Sequence, residues 1–137
     1  MEYRQHHPER FVSHLLAAPF IYSMIFPLLF LDLCVEIYQH ICFPLYRIPI
    51  VQRSQYIKLD RQKLAYLWWI DKVNCMYCGY ANGLVHFATV IAAETEKYWC
   101  GIQHEKDLNF IPPKHHENFL PYGDEKAFNN LVSREKK

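Results

Sequence analysis

Residues 11–31 read FVSHLLAAPFIYSMIFPLLFL, without one Asp, Glu, Lys or Arg. A helix advances roughly 1.5 Å per residue, so this stretch reaches across a hydrocarbon layer about 30 Å thick. Pro19 and Pro27 each remove a backbone donor, and together they predict kinks or a re-entrant shape. In residues 32–46 the pattern changes. Asp32, Glu36, Gln39 and His40 recur at spacings that place them on one side of a helix, with Leu33, Cys34, Ile37 and Ile41 opposite. That pattern predicts an amphipathic continuation lying in the headgroup region, ended by Pro44 and Pro49.

Further on the apolar signal is shorter in range. Residues 54–59, SQYIKL, alternate weakly and predict a short strand. Asp60 is the expected N-cap of a helix over 61–73 with Leu64, Leu67, Trp68 and Asp71 along one stripe; the Trp68-Trp69 pair suits interfacial anchoring, but core packing is the favoured use. Gly79 and Asn82-Gly83 predict tight backbone near Cys75 and Cys78. Residues 84–98 read as a helix with Leu84, Phe87, Ile91 and Tyr98 near one face, and Gly101 weakens any continuation. Pro112, Pro113, Pro121 and Gly123 mark residues 105–123 as an extended, wrapping segment in which His115 and His116 are expected to be solvated. A last short helix is expected over 125–132.

The fold class this predicts is all-α. A flexible polar terminus (1–10), unlike a secretory leader, precedes a membrane-embedded or interfacial helical segment (11–46). A small helical metal-knuckle domain (47–124) and a tail or short helix (125–137) follow. Composition supports the membrane element: 51% of residues are hydrophobic and 16% aromatic. A net charge of +1 and dispersed cations point away from nucleic acid. Arg47, Arg53, Lys58, Arg61 and Lys63 outnumber Arg4 and Arg10 across the apolar stretch. The larger C-terminal part is therefore expected in the cytoplasm, the reducing space that an odd count of five cysteines also suits.

The candidate chemistry lies in NCMYCGYANGLVHFATVIAAETEKYWCGIQH, where Cys75 and Cys78 are followed, after 21 intervening residues, by Cys100 and then His104. C-x2-C and C-x3-H pairs joined by a connector that folds back would supply a tetrahedral, closed and therefore structural zinc site. Iron or an iron–sulfur cluster is the alternative cofactor. A different reading uses Cys75 and Cys78 alone as a redox dithiol. A third set, Glu36, His40, His86, Glu94, His104, His115 and His116, lacks the repeated Glu-x2-His spacing of a di-iron bundle, and His86 reads as a core residue. With no Walker-A, G-x-S-x-G or G-x-G-x-x-G string present, the expected role is a non-enzymatic accessory protein. Its expected partners are membrane lipid and an integral membrane complex. A membrane-bound thiol-redox or electron-transfer protein is the rival.

Three strings, FPLYRIPIVQRSQYIKLDRQKLAYL, NCMYCGYANGL and ETEKYWCGIQH, resemble a family of small bacterial membrane-associated proteins carrying NCxYCGYANG followed by a TExYWCPIKH-like segment. The resemblance covers residues 28–124 and implies a bacterial, inner-membrane setting but no reaction. Its matching positions are Cys75, Cys78, Cys100 and His104. Gly101 and Gln103 stand where the family pattern has Pro and Lys.

Overall fold

The computed structural model describes residues 10–135; of the flexible terminus expected over 1–10, all but Arg10 lies outside them. The fold is all-α, as the periodicity predicts. Helices α1 (Phe11–Ser23), α2 (Ile25–Tyr46), α3 (Trp69–Trp99) and α4 (Glu125–Glu135) are joined by short 3-10 turns. Among the described residues there is no β-strand, only one isolated parallel bridge between Ile102 and Leu120. The chain forms two compact units, Met1–Ala88 and Thr89–Lys137, whose boundary falls inside α3.

In the first unit, α1 and α2 follow each other with a break at Met24. Pro27 supplies the reason. Lacking an N–H, it cannot bond the Ser23 carbonyl, yet it is tolerated in the first turn of α2, where no donor is needed. The Ile21 carbonyl beside the break accepts the Tyr77 hydroxyl at 2.7 Å, and the Tyr22 hydroxyl donates to the Asn74 side chain, so α3 braces the break. Pro44, expected to end the helix, sits inside the last turn of α2 instead. The end comes at Arg47, which adopts φ 58°, with Ile48 N–H bonded to Phe43 O at 2.8 Å and Arg47 N–H to Pro44 O at 3.2 Å. This is a Schellman ending with arginine where glycine is usual.

The polar side of α2 corrects the sequence reading. Asp32, Glu36 and Gln39 lie in the packed seam of the first unit. Arg53 donates to Asp32 Oδ2 at 2.5 Å and lies 3.5 Å from Glu36 Oε1. The Tyr80 hydroxyl donates to Asp32 Oδ2 at 2.8 Å, and Gln39, 1% exposed, donates to Glu36 at 3.1 Å. The opposite side is bare: Leu33, Ile37 and Ile41 are 58%, 51% and 58% exposed. Over these positions the carboxylates and the amide face inward while Leu33, Ile37 and Ile41 face outward; Phe43 alone of the α2 apolar residues is fully buried, and His40 is exposed. The apolar stretch Val12–Tyr46 is long enough to cross a membrane.

The segment between α2 and α3 also departs from expectation. Residues 54–59 form no strand, and of the helix expected over 61–73 the start is only a 3-10 turn, Arg61–Lys63, with no side-chain cap, the α-helix beginning at Trp69. Tertiary packing overrides the local pattern here. A Cβ at Gly83 would lie 2.7 Å from Tyr56 O and 2.9 Å from Ile57 Cα, and one at Gly79 would lie 3.3 Å from Lys58 O. Residues 56–59 therefore run against a glycine-floored face of α3. The two glycines do not turn the chain; they let another backbone approach a helix that continues through them. Trp68 and Trp69, expected in the core, are 64% and 63% exposed and meet edge to face at 5.6 Å. The core of this unit is Phe43, Leu84 and Phe87, all fully buried.

The second unit buries Ile91, Ala93 and Phe119. Its last helix starts as expected: Gly123 takes φ 77°, and Asp124 Oδ1 caps α4 by accepting the Ala127 N–H at 2.9 Å.

Candidate functional site

Cys75 and Cys78 lie inside α3, Cys100 directly follows its end, and His104 is in the loop beyond. The expected zinc set required the 21-residue connector to fold back. It is helical throughout, and helical residues advance about 1.5 Å each rather than reversing. Cys75 and Cys78 fall in the first unit, and Cys100 and His104 in the second. All five cysteines are free thiols. Cys75 and Cys78 sit well past the first turn of α3, where backbone N–H groups are already spent on i−4 carbonyls.

Among the described residues the group whose ligand atoms converge is another one: Glu96, His115 and His116, with those atoms within 4.8 Å of one another. Its assembly can be followed along the chain. After α3 ends at Trp99, residues 101–103 pair with Leu120: Leu120 N–H bonds Gly101 O at 2.8 Å and Gln103 N–H bonds Leu120 O at 2.8 Å. The Gln103 side-chain amide donates to the carbonyls of His116 at 2.9 Å and Phe119 at 3.2 Å. Gln103 thus clamps the 3-10 turn Lys114–Asn118 beneath the end of α3. Pro113, extended at ψ 146°, starts that turn, and His116 N–H closes it onto Pro113 O at 3.0 Å.

The turn presents two adjacent imidazoles to one carboxylate. His115 Nε2 lies 2.6 Å from Glu96 Oε2, and His116 Nε2 lies 3.0 Å from Glu96 Oε1. An ionised carboxylate only accepts, so both Nε2 atoms carry the proton in this arrangement. The hydrogen bond from His115, reinforced by that from His116 and opposed by partial burial, holds the Glu96 carboxyl below its ordinary range. His116 is 4% exposed and stacks on Phe119 at 4.9 Å and 23°. Its Nδ1 is buried without a hydrogen-bond partner. Leaving such an atom unsatisfied costs about 1–3 kcal/mol. His104 adds a third imidazole beside the pair, its ring 5.4 Å from that of His116.

The expectation that His115 and His116 are solvated is therefore corrected. Glu96 was missed because the sequence shows it only as a polar interruption of an apolar helix. Its partners lie 19 and 20 residues away, a spacing that matches no local ligand pattern. The other carboxylates and imidazoles are engaged elsewhere. Glu94 pairs with Lys97 at 2.5 Å, and His40 bonds the Glu36 carbonyl at 2.8 Å. His86, expected in a core, is exposed with its ring edge-on to Tyr56 at 5.0 Å.

One phenol belongs to the first unit's seam. Burial, then the hydrogen bond to Asp32, pushes the Tyr80 hydroxyl up to about 12.

Comparison of the chain with protein-family models, with curated proteins and with solved structures finds no match.

Proposed function

We propose that this chain is a membrane-associated accessory protein that seats the bare apolar side of α1 and α2 in lipid or against an integral membrane protein. The observation that carries this reading is the inverted polarity of α2. In water the cheaper arrangement hides Leu33, Ile37 and Ile41 and exposes Asp32 and Glu36; here the reverse holds. In hydrocarbon, charged groups must turn inward and pair, as Asp32, Glu36 and Arg53 do. The exposed Trp68-Trp69 pair, beside exposed Lys63 and Tyr66, suits a membrane–water boundary. Arg47, Lys58, Arg61 and Lys63 are exposed cations following the apolar stretch, which favours the cytoplasmic side for the residues after α2.

Fractionation tests the proposal. The expected result is retention in the membrane fraction through salt and alkaline washes, with release by detergent. Lysine at Leu33 or Ile37 should weaken retention, because a cation at the centre of a membrane helix costs about 2.5–3.5 kcal/mol on insertion scales. Quantitative recovery of the wild-type chain without detergent, together with indifference to those lysines, would sink the proposal.

A further inference from the structure

We infer that Glu96, His115 and His116 form a binding site for one divalent transition metal ion, of the zinc, cobalt or iron(II) class, in the second unit. The inference does not rest on the membrane reading. Two imidazoles and one carboxylate are the donor set such ions take when coordination positions are left to water or another ligand. The three donor atoms lie within 4.8 Å of one another, close enough for one ion to replace the hydrogen bonds that now join them. The supporting residues come from separate places, the end of α3 and the 3-10 turn, yet the turn is held from behind by the Gln103 amide. A cluster produced by chance on a mobile surface has no such brace.

The second, independent observation is His116 itself. It is 96% buried and carries a ring nitrogen with no partner. With Nε2–H engaged by Glu96, Nδ1 presents an unused lone pair; if the proton moves to Nδ1, Nε2 becomes the free donor atom toward Glu96. The ring therefore holds one lone pair that no protein group answers, and the tautomer with its proton on Nδ1 turns that pair toward Glu96, where an ion would take it. His104 packs its ring beside that of His116 and is not one of the three converging donors. The ions excluded are calcium and magnesium, which prefer all-oxygen shells. Thiolates take no part, since the donors here are nitrogen and oxygen only.

The test uses the full chain in mild detergent and Co2+ as the probe, with Zn2+ competing. The expected result is one equivalent of Co2+ bound, with visible d–d bands, no thiolate-to-cobalt charge-transfer band, and displacement by Zn2+. X-ray absorption should show a nitrogen and oxygen shell without sulfur. Glu96→Gln and His115→Gln should each weaken binding at least tenfold, while Cys75→Ser/Cys78→Ser/Cys100→Ser should leave it unchanged. Helical circular dichroism separates lost binding from lost folding, and the wild-type absorption shell decides the matter where a variant fails to fold. A sulfur shell, unchanged affinity in folded Glu96→Gln and His115→Gln, or failure of the folded wild-type chain to take up Co2+ would each overturn the inference.

Discussion

Gly83→Ala is the most informative single change in this fold, with Gly79→Ala as its internal control. Both glycines lie inside α3 on one face, four residues apart, so alanine at either gains helix propensity of about 0.8–1 kcal/mol. The difference lies in what the new methyl group meets. At Gly83 it would come within 2.7 Å of Tyr56 O and 2.9 Å of Ile57 Cα, both backbone atoms that no rotamer change can move. Overpacking of this kind costs about 1–3 kcal/mol, and an unyielding backbone places it at the upper end. The expected net result is destabilisation by about 2 kcal/mol once the propensity gain offsets part of the clash. At Gly79 the nearest atoms are Lys58 O at 3.3 Å and Leu59 Cδ2 at 3.4 Å, so a shift of a few tenths of an ångström suffices. That variant is expected within about 0.5 kcal/mol of wild type, its propensity gain largely offset by that small shift. Equilibrium unfolding of both variants, followed by helical circular dichroism in the same detergent, measures the pair. A Gly83→Ala protein as stable as wild type, or less perturbed than Gly79→Ala, would refute the close approach of residues 56–59 to this helix.

Two titrations give further checks. The Glu96 carboxyl is held below its ordinary value of 4.5 by His115 and then His116, so its interaction contributes fully above that value and is lost as pH falls through the lowered one. Melting temperatures of wild type and Glu96→Gln should therefore differ at neutral pH and converge in strong acid; parallel curves would contradict the clasp. The Tyr80 hydroxyl titrates at about 12 against an ordinary 10.0, so its contribution is present below 10.0 and lost as pH rises through about 12. Phenolate absorbance should show a late-titrating tyrosine that Tyr80→Phe removes; its persistence in that variant would place the buried phenol elsewhere.

The sequence alone made the helical class, the uncharged stretch of residues 11–31, the buried face of Leu84, Phe87 and Ile91, though not of Tyr98, which is 51% exposed, and the start of α4 at Asp124 legible. These depend on periodicity and capping, which are interactions between near neighbours along the chain. Tertiary structure alone decided the rest. Period 3.6 shows that Asp32, Glu36 and Gln39 share a side of α2, but not that Arg53 and Tyr80 would turn that side inward. A glycine permits either a turn or a close approach, and at Gly83 the backbone of Tyr56 and Ile57 selects the second. Cysteine spacing suggested a connector that folds back, whereas residues 79–99 are helical. Glu96 meets His115 and His116 only because Gln103 and the Gly101–Leu120 pairing close an intervening loop. Local pattern states which faces a segment owns; what each face meets is settled by chain closure between distant residues, which no local spacing encodes.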